Sequence, residues 1–206
     1  MTLLYIFDMD DVLYDYDWRQ RMAGMTALTG LSLSELRRLW WNDEGEWAAE
    51  AGVFTNAAEY LGAFESAIGI PVDETEWVRV RGSAMRARAD AIEAARRAAE
   101  LGDITLLTNN GALTAKHLRA LAPELIDVFG EHLYTSSDYR ARKPNPVVFE
   151  RVLERYERDA SEAFFVDDMR ENVAGAASIG ITAHLYRSAP KLVQAIETFA
   201  LQTRVS

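Results

Sequence analysis

Polar residues able to do chemistry stand directly after three apolar runs of the sequence. They are Asp8 and Asp10 after residues 3–7, Thr108 and Asn109 after residues 104–107, and Asp167 and Asp168 after residues 163–166. Short runs that are apolar throughout are typical of parallel strands buried on both faces. Because ligands bind outside the carboxyl ends of such strands, the three polar groups are predicted to meet at one edge of a sheet.

Asp8 and Asp10 have the spacing that puts two side chains on the same side of an extended chain. Two carboxylates at close range repel each other, and a divalent cation relieves that repulsion. One carboxylate is then free to act as a nucleophile and the other as a general acid. A solvated turn after a buried strand explains an isolated pair about equally well, because so short a motif matches often.

Asp167 and Asp168 form the second acidic pair. Together with Asp8 and a main-chain carbonyl they would make a site of oxygen ligands alone, which suits Mg²⁺. The three histidines are scattered along the chain, so a histidine-ligated transition metal is not expected. The alternative interpretation of the pair is an N-cap for the helix that follows.

Two further segments are candidates for holding a phosphate. Thr108 and Asn109 precede a predicted helix, where hydroxyl, amide and free N–H groups bind anions. A plain turn of turn-forming residues is the alternative there. Lys143 stands in a loop stiffened by Pro144 and Pro146, where it could bridge a bound phosphate and the acidic cluster. It could equally be a surface lysine, as most lysines are.

The elements that must position these residues alternate in type along the chain. Apolar runs at 3–7, 104–107, 163–166 and 181–186 are separated by helical patterns. This alternation predicts βαβ units and therefore an α/β fold with a doubly wound parallel sheet. Gly102 and Gly180 are predicted to follow helix ends, and Pro146 to lie in the first turn of a helix.

Residues 15–88 have a different character, because they hold all five tryptophans and no convincing strand. The spacings Ser32–Glu35 and Asp73–Glu76 are those of capping boxes. The sequence predicts a helical insert of about four helices. Residues 1–14 and 89–206 would then form the core domain, and residues 15–88 an all-helical cap.

The tryptophans of this insert are more often expected in its core or at a dimer face than in a pocket. Trp18 is the best candidate for lining a pocket, because it is nearest in sequence to the Asp8 segment. Tyr14 and Asp15 lie at the hinge into the insert and are predicted to flank an entrance if the insert moves.

The formal net charge of −10 argues against binding to nucleic acid or to an anionic membrane. The absence of cysteine excludes disulfides, thiolate catalysis and cysteine-ligated zinc. Neither a signal peptide nor an apolar stretch of 18 residues is found. We expect a cytoplasmic enzyme that is a monomer or a weak homodimer.

Taken in order, the motifs resemble those of the haloacid dehalogenase superfamily of hydrolases. The matching segments are Tyr5-Ile6-Phe7-Asp8-Met9-Asp10-Asp11-Val12-Leu13, Leu107-Thr108-Asn109, Arg142-Lys143-Pro144 and Phe165-Val166-Asp167-Asp168, with Asn172 in a common extension of the last. The insert resembles the cap of the subgroup that carries it between the first two motifs. Within that subgroup the chain is most similar to small sugar-phosphate and nucleotide phosphatases, including bacterial glucose-1-phosphate phosphatases. Many relatives carry glycine where this chain has Asp11.

The resemblance implies a magnesium-dependent phosphatase that hydrolyses a small phosphorylated metabolite, a sugar phosphate or a nucleotide, through an aspartyl-phosphate. Asp8 would attack phosphorus, and Asp10 would protonate the leaving alcohol and then activate water. Thr108, Asn109 and Lys143 would hold the phosphoryl oxygens and offset their charge.

The resemblance also implies a ligand set for the metal. The carboxylate of Asp8, the main-chain carbonyl of Asp10 and the carboxylate of Asp167 would bind Mg²⁺. Asp168 and Asn172 would not bind the ion directly but would contact its ligands or a bound water.

Several other functions share part of this pattern. A phosphosugar mutase would use the same core and the same aspartyl-phosphate. A 2-haloacid dehalogenase needs the nucleophile but no metal, and Asp10 argues against it. A receiver domain has its acidic pair before the phosphorylated aspartate, the reverse of the order here. A catalytically silent protein that binds a phosphorylated ligand is the remaining alternative.

Overall fold

A five-stranded parallel sheet is the centre of the computed structural model, which describes residues 2–205. The strands of the described residues are β1 (Leu3–Phe7), β2 (Tyr14–Tyr16), β3 (Met85–Ala87), β4 (Gly102–Thr108), β5 (Leu133–Thr135), β6 (Ala163–Asp167) and β7 (Thr182–Leu185). The sheet order is β5-β4-β1-β6-β7, and every neighbouring pair in it is parallel. The predicted α/β fold with a parallel sheet is confirmed.

Helices lie between the strands and beyond them. They are α1 (Trp18–Thr29), α2 (Leu33–Leu39), α3 (Glu46–Glu50), α4 (Ala57–Ile68), α5 (Glu74–Ser83), α6 (Ala89–Ala99), α7 (Ala112–Leu121), α8 (Ile126–Phe129), α9 (Pro146–Tyr156), α10 (Arg170–Ala177) and α11 (Ala189–Val205). Short 3₁₀ turns occupy Pro123–Leu125, Ser136–Tyr139 and Ala160–Glu162. No helix within residues 2–205 is long and apolar enough to cross a membrane.

Strand β1 is buried over its whole length because it pairs with β4 on one side and with β6 on the other. Its alternate side chains point to opposite faces. Tyr5 and Phe7 join an apolar cluster with α6 and α11, whereas Leu4 and Ile6 join one with α9 and α10. Helices therefore cover both faces of the sheet, which explains why the strands read as unbroken apolar runs.

Helices α1 to α5 have an apolar cluster of their own, to which Leu113 of α7 contributes. This region of the described chain has five helices, whereas the sequence predicted about four. The short α3 was not predicted because it has too few residues for a periodic pattern. The prediction of no strand in the insert was wrong, since β2 and β3 pair antiparallel where the chain leaves and re-enters the sheet region. The exact domain boundaries at residues 14 and 88 stay a prediction.

Two predicted helix ends had different outcomes. Gly180 has φ +95° and follows α10 as expected. Gly102 also follows a helix end, since α6 stops at Ala99, but it begins β4 and does not have a positive φ. A Cβ atom at Gly102 would lie 2.3 Å from the carbonyl oxygen of Leu3, so glycine serves close strand pairing there. Strand β5 was not predicted, because its three residues are too few to form a recognisable apolar run.

The predicted helix starts are confirmed. Ser32 and Glu35 form a reciprocal capping box at α2, and the Asp73 side chain accepts the Glu76 N–H at α5. Asn145 caps α9, with proline in its first turn.

Gly175 lets α10 lie directly against the loop that precedes α9, and its replacement tests that contact. A Cβ atom at Gly175 would lie 2.2 Å from the carbonyl oxygen of Pro144. We expect Gly175→Ala to lower the free energy of unfolding by about 1–3 kcal/mol, because the backbone of the loop must shift. Gly62→Ala is the matched control: nothing lies within 4 Å of its added Cβ in α4. It should gain about 0.5–1 kcal/mol. Urea unfolding measures both, and a stabilised Gly175→Ala protein would contradict the packing.

Candidate active site

The predicted residues converge at the carboxyl edge of the sheet. Asp8 follows β1, Thr108 ends β4, Asp167 ends β6, and Lys143 enters from the loop before α9. The Lys143 ammonium lies 2.7 Å from Oδ1 of Asp8 and 2.6 Å from Oδ2 of Asp167. The centre of the site is therefore one cation shared by two carboxylates.

Lys143 is 1% exposed, so it is not a surface lysine. Burial disfavours its charged form, but the carboxylates of Asp167 and Asp8 outweigh that effect and hold the pKa of Lys143 above its ordinary value. Burial, with help from Asp167, raises the pKa of Asp8 well above its ordinary value, and Lys143 opposes that rise. The nucleophile candidate depends on Lys143 for its negative charge.

The Asn109 side chain holds the main chain of Lys143. Its Nδ2 donates to the Lys143 carbonyl and its Oδ1 accepts the Lys143 N–H, both at 2.9 Å. The Thr108 hydroxyl accepts a hydrogen bond from Nδ2 of Asn110 at 2.8 Å. Thr108 and Asn109 still line the cavity of about 390 Å³ that Asp8 opens into, so their contact with a phosphoryl group stays a prediction.

The two adjacent aspartates differ sharply in surroundings. Asp167 is fully buried, and it accepts hydrogen bonds from Lys143, from the Asn172 amide at 3.0 Å and from the Met169 N–H at 2.8 Å. Asp168 has no ion-pair partner within residues 2–205 and lines the cavity. Burial, followed by the charges of Asp167 and Asp11, raises the pKa of Asp168 to about 6.

Carboxylate oxygens of Asp8, Asp167 and Asp168 lie within 4.8 Å of one another. Three hard oxygen donors at this distance, with only one cation between them, fit a divalent ion such as Mg²⁺. Because the oxygens of Asp167 already have protein donors, the arrangement favours Asp168 as the second carboxylate offered to a cation. Neither aspartate caps α10, whose N-cap is Met169.

Asp10 is held by a residue that the sequence did not single out. Nη2 of Arg81, in α5, lies 2.6 Å from Oδ2 of Asp10, and Arg81 is 3% exposed. The other oxygen, Oδ1, is buried and has no hydrogen-bond partner among the described residues. The contact spans 71 residues and belongs to no motif, so only the folded chain reveals it.

Asp11 has φ +59°, the left-handed region that favours glycine. Glycine would adopt this backbone conformation without strain. Its carboxylate accepts the Tyr16 N–H at 3.3 Å and lies 3.8 Å from Arg88, so its negative charge is partly compensated.

A second cavity, of about 180 Å³, lies between the insert and the core. Its walls include four of the five tryptophans, namely Trp18, Trp41, Trp47 and Trp77. Trp18 therefore lines a cavity, as predicted. Trp40 and Trp77 belong to the apolar cluster of the insert and Trp18 and Trp41 pack against it, so the predicted place of most tryptophans in the insert core is confirmed as well. Tyr14 is buried and donates to Glu124, so it does not flank an entrance; Asp15 is exposed and pairs with Arg88.

The fold and this acidic site are those of a haloacid dehalogenase-like hydrolase, and the model of that family matches residues 3–180. The chain belongs to this family. A phosphatase of Mycobacterium tuberculosis is 31% identical over 196 residues, covering 87% of this chain and 85% of the relative.

Solved structures share the fold. A HAD family enzyme of Bacteroides thetaiotaomicron in complex with magnesium and inorganic phosphate has TM-score 0.76 and 21% identity, covering 91% of this chain and 95% of that one. A predicted HAD-like family hydrolase of Porphyromonas gingivalis has TM-score 0.77 and 18% identity, covering 96% and 97%. A 2-haloacid dehalogenase of Pseudomonas syringae pv. Tomato has TM-score 0.64 and 21% identity, covering 90% and 86%.

Replacing the two adjacent aspartates should change stability in opposite directions. Asp167→Asn removes one partner of buried Lys143 and should cost about 3–5 kcal/mol of unfolding free energy. Asp168→Asn should instead gain about 1–2 kcal/mol at pH 8 in EDTA, because the folded state disfavours the ionised Asp168.

The sign of the pH dependence follows from the raised pKa of Asp168. Below the unfolded pKa, near 4, both states hold the proton and the gain should vanish. As pH rises through about 6, the wild-type protein loses stability and the gain of Asp168→Asn develops. Urea unfolding at pH 4 and pH 8 measures this, and the same direction of change for both variants would contradict the site described here.

Proposed function

We propose that this protein is a magnesium-dependent phosphatase of small phosphomonoesters with Asp8 as its nucleophile. The observation that carries the proposal is the Asp8 carboxylate, buried against Lys143 and opening into a cavity that Asp10 and Asp168 share. The relative from Mycobacterium tuberculosis bears the name phosphatase, and the Bacteroides enzyme binds magnesium and phosphate, which supports the same class of reaction.

Each residue has a defined task in this reaction. An oxygen of Asp8 forms a bond to phosphorus as the bond to the leaving alcohol breaks, giving an aspartyl-phosphate. Asp10, whose Oδ2 is paired with Arg81, donates a proton to the leaving oxygen. In the second step Asp10 takes a proton from water, which attacks phosphorus and releases Asp8. Lys143 offsets the negative charge of the phosphoryl oxygens.

The proposed ligands of Mg²⁺ are the carboxylates of Asp8 and Asp168 and the main-chain carbonyl of Asp10. This exchanges the roles expected for the two adjacent aspartates, because Asp167 is used by Lys143 and Asn172. When bound, the ion supplies positive charge to the phosphoryl oxygens and offsets the acidic cluster.

A dehalogenase would not need Asp10, its Arg81 partner or the acidic cluster, so these residues favour the phosphatase. A phosphomutase would share the first step. The second cavity of about 180 Å³ is small for a sugar phosphate to be held in a second orientation, and this favours water as the acceptor.

Hydrolysis of an aryl phosphate with Mg²⁺ and with excess EDTA tests the proposal. Turnover should require Mg²⁺ and should be abolished in Asp8→Asn, because an amide does not attack phosphorus. Asp10→Asn should slow turnover by about 10²–10⁴-fold, the usual contribution of general acid–base catalysis. Asp127→Asn, at an exposed position of α8, is the matched control and should retain the wild-type rate. Wild-type turnover by Asp8→Asn would refute the assigned nucleophile.

A further inference from the structure

Arg21 is a buried cation that the proposed chemistry does not use. It lies in α1, is 3% exposed, and has no ion-pair partner among residues 2–205. Its Nη1 donates to the Trp77 carbonyl at 3.1 Å, and its guanidinium lies 4.2 Å from the centre of the Trp77 ring. Such contacts do not neutralise a buried charge, which ordinarily has a counter-ion.

The acidic side chains around the same cavity are already engaged. Asp10 pairs with Arg81 and Glu50 with Arg142, each at 2.6 Å. One oxygen of Glu46 accepts hydrogen bonds at 2.6 Å from a buried indole and from a buried phenol. Glu46 attracts Arg21 only from beyond ion-pair distance. Arg21 and Glu46 are therefore the two charged residues of this lining without an ion pair in the described chain, and Arg21 is the cation of the two.

The cavity that Arg21 lines is continuous in its lining with the reaction site, because Asp10 and Asn109 border both cavities. Its volume of about 180 Å³ is roughly that of six water molecules at ~30 Å³ each. Cavities for drug-sized ligands are about 300–1,000 Å³. A leaving group of a few carbon atoms fits this space.

Three further residues around this cavity have polar atoms without a hydrogen-bond partner. Nε1 of Trp77, Nε of Arg81 and Oδ1 of Asp10 are buried without hydrogen-bond partners in the described chain, and all three residues border this cavity. These atoms have almost no surface open to the cavity, so a small polar leaving group would bring them partners only as the side chains turn toward it.

We propose that Arg21 binds a carboxylate on the leaving group, so that the substrates are phosphate esters of small hydroxy acids. The proposal rests on the phosphatase function above and adds the substrate class. A guanidinium pairs with a planar carboxylate through two parallel N–H donors, and the carboxylate then balances the buried charge of Arg21. A carboxylate is favoured over a second phosphate because Glu46 and Glu50 line the same small space and repel a dianion.

A pair of esters that differ in one group measures the contribution of Arg21. The ester 3-phosphoglycerate carries a carboxylate where glycerol 3-phosphate carries a neutral hydroxymethyl group. The wild-type protein should hydrolyse the acid with a kcat/KM about 10–100-fold higher, as expected for a hydrogen-bonded charge pair. Arg21→Gln should bring that ratio close to one, and Arg21→Lys should retain part of it. Arg19→Gln, at an exposed position of α1, should leave the ratio unchanged.

Binding to the Asp8→Asn protein with Mg²⁺ separates this inference from the phosphatase proposal. Titration calorimetry should show the same preference for 3-phosphoglycerate, and its loss when Arg21→Gln is added. A preference that needs Arg21 without any aryl phosphate turnover by the wild-type protein would reject the phosphatase and keep the carboxylate site. Equal affinity and equal kcat/KM for the two esters, or a preference that survives Arg21→Gln, would overturn the inference.

Discussion

The Lys143 ammonium between Asp8 and Asp167 is the interaction on which the rest of the site depends. Two carboxylates this deeply buried would not both stay ionised without a cation among them. The surrounding structure serves to keep that cation in place. Asn109 fixes the main chain of Lys143 with two hydrogen bonds, and Gly175 allows α10 to press on the loop beside it. A local loss of packing there would change the charge of the nucleophile as well as stability.

The two aspartates after β1 are held by different parts of the chain, one by the sheet region and the other by the helical insert. Asp8 is held by core residues alone, whereas Asp10 is paired with Arg81 of α5. A second ion pair joins Glu50 of α3 to Arg142, the residue next to Lys143 in sequence. Burial, opposed by Arg142, raises the pKa of Glu50 to about 7. The insert therefore holds the proposed acid–base residue Asp10 and also shapes the cavity.

The sequence alone predicts those parts of the molecule in which one physical rule applies to several residues in a row. Strand β1 and its terminal Asp8 are evident because a central parallel strand must be apolar on both faces. The roles of Asp167 and Asp168 are not evident, since adjacent carboxylates look alike until Lys143 and Asn172 are seen to contact only the first. Arg81 and Arg21 resemble ordinary helix arginines in sequence. Their importance comes from burial and from partners far along the chain, which no local pattern reports.

An acidic protein with net charge −10 can still select anions, because selection depends on unpaired charge at the site and not on the total. At the reaction site each carboxylate needs a cation, and Lys143 with a bound metal ion supplies it. In the neighbouring cavity Arg21 is a buried cation without an ion-pair partner among the described residues. A site of that kind discriminates strongly, because an ester lacking the matching group leaves a buried charge unpaired. In the proposed reaction the same electrostatic requirement governs both where the phosphoryl group binds and which leaving group accompanies it.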